Sequence, residues 1–217
     1  MNIAVLGTGV VGNAIASKLV SLGHEVKMGS RTPDNEKAAA WVKRAGALAS
    51  QGTFAGAASF GEVVFVCTNG AATLDALHAA GAQPLAGKVL IDVSNPLDFS
   101  KGMPPRLFTA SDESLGERVQ RAFPDAKVVK ALNTVNCEVM VDPGRVGGGD
   151  HDMFVAGDDA AAKGRVVEIL TGWFGWKTVH DLGDITGARG MEMYLPLWLR
   201  LWGSLKTADF NVRVVRG

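Results

Sequence analysis

The sequence predicts an α/β protein built on a doubly wound, mostly parallel sheet with a small C-terminal α+β cap. Three observations carry that expectation. Short strand-like apolar runs alternate with helical patterns through residues 1–130. A glycine-rich turn joins the first strand directly to the first helix. The runs Glu62–Cys67 and Lys88–Val93 are nearly continuous in aliphatic and aromatic residues, as strands covered on both faces are.

Each element follows from local pattern. Ile3–Leu6 is the first strand. A helical stripe of Ile15, Leu19 and Leu22 stops at Gly23-His24, and Glu25–Met28 gives the second strand. Thr32 suits an N-cap and Pro33 the first position of a second helix carrying Trp41 and Val42. A third strand is expected over Ala47–Ser50 and a short helix over Thr53–Phe60. Glu62–Cys67 is the fourth strand, Ala71–Ala80 an alanine-rich helix and Lys88–Val93 the fifth strand. Asp98–Pro105 reads as loop, and Ser111 can cap a helix that Pro124 stops. Ala126–Lys130 is the sixth strand. Beyond it, Asp152–Ala156 and Thr178–Leu182 are strands around a helix over Asp159–Thr171, and one long helix is expected over Ile185–Leu205. Residues 1–130 thus form one expected domain and 131–217 a smaller one at the sheet's carboxyl edge, with no linker between them.

The loop Gly7-Thr8-Gly9-Val10-Val11-Gly12 stands between strand and helix, where a dinucleotide diphosphate rests on a helix N-terminus. Gly7 suits the tight turn, Gly9 the close approach of the diphosphate and Gly12 the packing of helix on strand. Sites for NAD usually end the second strand on an acid that holds the ribose 2′-hydroxyl. Here Gly29-Ser30-Arg31 stands there. A hydroxyl and a guanidinium suit the 2′-phosphate of NADP(H), with Thr8 adding a hydroxyl and Lys37 a weaker positive charge.

Composition narrows the remaining classes. The 217 residues carry 22 basic and 22 acidic side chains without a basic run, which gives nucleic acid no foothold. No apolar stretch is long enough for a membrane span, and Met1 leads straight into a strand rather than a signal peptide, so a cytoplasmic location is expected. Cys67 and Cys137 have no metal or redox spacing. Asp150-His151-Asp152 looks like a metal cluster, but adjacent residues imply no ligand geometry and no metal is expected.

Ligands of open parallel sheets sit beyond the carboxyl ends of the strands. Cys67-Thr68-Asn69 can touch ribose or phosphate, or simply cap the next helix. Ser94-Asn95-Pro96 falls near the nicotinamide, where Ser94 and Asn95 can bond a carboxamide and Pro96 can set the turn. Asn133 and Thr134, after the sixth strand, are expected to border the reacting ring. No nucleophile–base pair stands out, so no side chain is assigned as an acid, base or nucleophile. Transfer between two redox rings needs chiefly stacking geometry, and the cofactors carry the chemistry.

The glycine loop, Leu22-Gly23-His24-Glu25-Val26, Gly29-Ser30-Arg31, Lys130-Ala131-Leu132-Asn133-Thr134 and Ala188-Arg189-x-x-Glu192-x-x-x-Pro196-Leu197 together resemble the NADPH-dependent deazaflavin (coenzyme F-420) reductases, in a bacterial branch. The resemblance runs over nearly the whole chain. It implies hydride exchange between NADP(H) and a deazaflavin, a C-terminal domain walling the second ring's cleft, and a homodimer. It also implies that Thr8, Ser30 and Arg31 bind the 2′-phosphate and that Gly7, Gly9 and Gly12 line the diphosphate. In the bacterial branch the small-molecule acceptor widens to a flavin, a quinone or a ferric chelate, and the oxidoreductase domain of membrane ferric reductases is similar in design. An imine or β-hydroxyacid reductase and a nucleotide sensor without turnover are the alternatives. Met191–Trp202 reads as core, dimer interface or ring-binding wall. Arg189 and Glu192 are spaced to pair on one helix face, or Arg189 faces an acidic part of the second substrate.

Overall fold

The computed structural model describes residues 1–217. In chain order the elements are β1 (Asn2–Leu6), α1 (Val10–Ser21), β2 (Glu25–Ser30), α2 (Glu36–Ala45), β3 (Ala49–Thr53), α3 (Phe54–Phe60) and β4 (Val63–Val66). Then come α4 (Thr73–Ala80), α5 (Ala82–Leu85), β5 (Val89–Asp92), β6 (Leu97–Asp98), β7 (Arg106–Leu107), α6 (Leu115–Ala122) and β8 (Lys127–Ala131). The remainder holds α7 (Cys137–Val141), β9 (Asp152–Ala156), α8 (Ala160–Glu168), β10 (Thr178–Asp181), α9 (Ala188–Met193) and α10 (Leu195–Leu205).

Eight strands form one sheet in the order β10-β9-β8-β5-β4-β1-β2-β3, and β6 and β7 form a separate hairpin. Every pair in the large sheet is parallel except β8 with β9. The chain reverses between β1 and β4, so the carboxyl ends of these strands open a crevice at the switch point. β9 and β10 extend the same sheet. One buried cluster runs from Ile3 and Val5 through Val129 and Met153 to the fully buried Trp176, and a second covers the opposite face beneath α3, α4 and α6.

Several boundaries differ from the sequence reading. The second helix is capped by Asn35, whose side chain accepts from Ala38 N–H at 3.1 Å. Thr32 is not the cap because its carbonyl accepts the Ser30 hydroxyl and holds residues 31–34 in a turn. Ser114 rather than Ser111 caps α6, because only Ser114 has a glutamate three residues on to complete a reciprocal capping box with Glu117. The third strand begins at Ala49. The expected long C-terminal helix is broken between α9 and α10, where Pro196 has no N–H to continue the ladder.

Candidate active site

The glycine loop is shaped by close backbone contact. Gly7 has φ +123°, and a Cβ there would stand 2.5 Å from the Cys67 carbonyl oxygen. A Cβ on Gly12 would meet the Gly7 carbonyl oxygen at 2.2 Å. Gly9 is different, because nothing lies within 4 Å of the position its Cβ would take. Gly9 is also the N-cap of α1, with no side-chain cap and no acid in the first turn. Its neighbours Val10 and Val11 are not buried, Val10 being 75 % exposed. The first N–H groups of α1 have neither a side-chain cap nor a first-turn acid, so their partial positive charge suits an anion.

A cavity of about 470 Å³ opens beside this loop, lined by Gly7, Thr8 and Gly9 on one side and by Ser30 and Arg31 on the other. Arg31 is exposed. Ser30 borders the cavity too, but its hydroxyl donates to the Thr32 carbonyl, so its first role is to close the turn. Phe54 and Asp75 also line this cavity, and the sequence reading missed both. Lys37 does not join Arg31. It stands with Arg44, Val10 and Glu138 around a separate depression of about 450 Å³ that shares Thr8 and Gly9 with the first. The delayed start of α2 places Lys37 in that helix's first turn, on this other side of the loop.

Further along the carboxyl edge, a smaller cavity of about 160 Å³ is lined by Val11, Cys67, Thr68, Asn69, Ser94 and Asn95 among others. The Asn69 side chain accepts from Ala71 N–H, so it caps the following turn while bordering the cavity. The Thr68 hydroxyl pairs with that of Thr73 at 3.0 Å. Burial, with a smaller contribution from Asp92, pushes the Cys67 thiol well above its ordinary pKa. A shallower cavity of about 410 Å³ adjoins through Asn69 and Leu97, with Phe99 and Phe108 of the hairpin segment on its wall.

Four expectations for this end need correction. The Ser94 hydroxyl and N–H both donate to Asp92 Oδ1, at 2.6 and 2.9 Å, so the hydroxyl is engaged within the protein. Pro96 does not line the cavity; its carbonyl accepts from Phe108 N–H. Asn133 and Thr134 are buried beneath the loop rather than bordering the open cavity. Asn133 instead forms a reciprocal pair with Asn95, its carbonyl accepting from Asn95 Nδ2 and its Nδ2 donating to Asn95 Oδ1, each at 2.9 Å. Leu132, just before it, has φ +64°, a left-handed turn rare for a branched side chain, which swings Asn133 back toward β5. Asn133 Oδ1 and Thr134 Oγ1 remain buried without a protein partner.

The sequence reading assigned no role to Lys130, which lies under this loop. Lys130 is fully buried on β8, in register with Asp92 on β5. Its ammonium lies 2.9 Å from Asp92 Oδ2 and 2.8 Å from Glu192 Oε1, and donates to the Ser94 carbonyl at 2.6 Å. Burial opposes its charge, but the carboxylates of Asp92 and Glu192 override that and hold its pKa above the ordinary lysine value. Glu192 in turn accepts from Leu115 and Gly116 N–H, satisfying the first turn of α6. Arg189 does not pair with Glu192. It grips Glu117 on α6 through Nε at 2.8 Å and through Nη2. Asp150, His151 and Asp152 fasten the C-terminal tail: Asp150 pairs with Arg213, His151 meets Asn211, and Asp152 accepts from Val214 N–H. No helix is long and apolar enough to cross a membrane.

A sequence profile of the family described as "NADP oxidoreductase coenzyme F420-dependent" matches residues 2–96. The F420-dependent NADP reductase of Methanothermobacter marburgensis is 31% identical over 225 residues, spanning 99% of this chain and 98% of its own. This chain belongs to the F420-dependent NADP oxidoreductase family. By that membership it is an NADP-linked oxidoreductase, and the family's name carries both NADP and the deazaflavin coenzyme F-420. An Arthrobacter sp. FB24 crystal structure, provisionally named an F420-dependent NADP reductase, superposes with a TM-score of 0.94 at 52% identity, covering 99% of each chain. The metalloreductase STEAP3 of Rattus norvegicus is 31% identical over 205 residues; these are 90% of this family member but only 37% of the rat protein.

Proposed function

We propose that the protein transfers hydride between NADP(H) and a flat deazaflavin or flavin-like acceptor stacked on the nicotinamide. The observation that carries the nucleotide half is the uncapped, acid-free α1 N-terminus at the cleared Gly9, facing Arg31 across one cavity. The N–H groups of Val10, Val11 and Gly12 would hold the diphosphate and Arg31 the 2′-phosphate, with Thr8 beside them. Asn95 and the backbone of the Ser94–Asn95 loop would seat the carboxamide, with Asn133 and Thr134 supporting them from below. Bound here, the nucleotide would give or take the hydride at C4 of its nicotinamide. The chain contributes position and shelter, and no side chain is needed to move a proton. The apolar cavity beside Leu97, Phe99 and Phe108 adjoins the nicotinamide end and suits an aromatic acceptor. Residues 131–217 serve this site from beneath, and we assign them the work of fixing its floor and joining two copies of the chain.

The test is steady-state oxidation of NADPH and NADH with coenzyme F-420, a flavin, a quinone and a ferric chelate as acceptors. NADPH is expected to be preferred by at least about tenfold, which corresponds to about 1.4 kcal/mol from one charge-assisted phosphate contact. Arg31→Asp should abolish or reverse that preference while leaving the fold intact. Equal use of both nucleotides by the wild type would refute the assignment of Arg31, and binding of NADPH without turnover on any acceptor would favour a sensor.

A further inference from the structure

Lys130 lies where three segments of the fold meet: β5 with its following loop, β8 and α9. Its three N–H groups are all used, on Asp92 of β5, on the Ser94 carbonyl of the loop and on Glu192 of α9. Asp92 is filled by the same arrangement, since its second oxygen takes the Ser94 hydroxyl and N–H. The loop is held from the other side as well: a Cβ on Gly70 would stand 2.0 Å from the Asn95 carbonyl oxygen. A second tie runs parallel to the first, from Asn95 through Asn133 to the Met191 carbonyl. The loop is thus fixed at the Ser94 carbonyl by Lys130 and at the Asn95 side-chain amide by Asn133, neither of which lines the cavity.

A lysine buried only for stability would serve as well facing any part of the core. This one donates its shortest bond, 2.6 Å, to the backbone of the loop that borders the cavity. Loss of the ammonium frees the Ser94 carbonyl and leaves Asp92 facing Glu192 without a cation between them. That repulsion would be relieved by the loop, the one member of the cluster on the surface of a cavity.

We propose that Lys130 is a positioning residue for hydride transfer, its ammonium fixing the Ser94–Asn95 loop that seats the nicotinamide and Glu192 tying that loop to α9. This rests on the nucleotide reading above. It predicts a loss confined to one half of the dinucleotide. The glycine loop and Arg31 stand on α1 and β2, away from the cluster, so the adenosine end should be untouched.

The experiment measures dissociation constants of NADPH and of 2′,5′-ADP, which carries only the adenosine half, for wild type, Lys130→Met and Glu192→Gln. The full-length protein is used throughout. In Lys130→Met, NADPH affinity should fall by about tenfold or more, with turnover reduced alongside it, while 2′,5′-ADP binds within about twofold of wild type. If Lys130→Met does not fold, Glu192→Gln decides. It keeps the shape and the Asp92 pair, and it should show the same asymmetry to a smaller degree. Parallel losses for both ligands would mean a purely structural lysine and would overturn the proposal, as would unchanged affinity for both. A wild type that binds neither ligand would remove the nucleotide reading itself, a pattern distinct from failure of the variants alone.

Discussion

At the scale of single residues, the three loop glycines separate into two kinds. Gly7 and Gly12 are glycine because the protein's own backbone fills the space a side chain would need. Gly9 is glycine although the protein leaves that space open. Gly12→Ala should therefore cost stability, about 1–3 kcal/mol from forced overpacking against the Gly7 carbonyl. Gly9→Ala should leave the melting temperature nearly unchanged and weaken NADPH binding by about tenfold or more. Thermal unfolding and nucleotide titration of the two variants separate these outcomes, and a Gly9→Ala protein that binds normally would remove the diphosphate from the loop. This distinction was half legible in the sequence. The glycine spacing announces the loop, but only the fold shows which glycine meets the protein's own backbone and which faces open space. Arg31 was legible as a residue just beyond a strand whose carboxyl end opens on the crevice. The internal bonds of Ser94 and Asn133 were not legible, because strand-end position says nothing about which hydroxyl or amide a neighbouring segment has already engaged.

Secondary-structure elements meet through their ends. α6 has its first N–H groups taken by Glu192 and Ser114, and Glu117 in its first turn is held by Arg189 from α9. The Arg189 guanidinium, with help from Ser114, draws the Glu117 carboxyl down from 4.5 to about 2. Glu117 binds its proton more weakly in the folded state than in the unfolded one. Its contribution to stability is then complete above the ordinary pKa of 4.5 and is lost as the pH falls from there through about 2. Arg189→Met should raise the midpoint of acid unfolding, with the difference from wild type greatest above pH 4.5 and vanishing toward pH 2. Circular dichroism across that range measures it, and superimposable acid transitions would show that the pair does not hold α6 to α9. The capping box that starts α6 was written in the sequence as Ser114-x-x-Glu117. The Lys130 cluster was legible only in part. Asp92 and Lys130 each lie near the end of a buried strand, and pairing of those strands brings them together. Glu192 lies far along the chain on a separate helix, and no local pattern ties it to either.

At the scale of the whole molecule, an eight-stranded sheet and a core cluster join the first strand to Trp176, yet one long element is left on the surface. Of the eleven residues of α10, LPLWLRLWGSL, only Leu195 is buried. Trp198 stacks on Trp202 and on Phe210 of the tail, which covers one side of the helix. Leu197, Leu201 and Leu205 recur at four-residue spacing along another stripe, and Leu197 and Leu205 are each more than half exposed, at 55 and 52 %. An apolar stripe of this regularity is costly to leave in water, at about 25 cal/mol for each Å². A second copy of the same helix, packed about a twofold axis, would bury it with residues that match by symmetry. The homodimer we propose on this face leaves the crevice mouth open, because α10 lines none of its cavities. Leu197→Glu with Leu205→Glu should convert a dimer to a folded monomer in sedimentation velocity, with like charges set against each other across the axis. NADPH affinity should change by less than about twofold, since the glycine loop and Arg31 lie on other elements. A wild-type monomer at high concentration would exclude the interface, and a double variant that remains dimeric would place it on another surface.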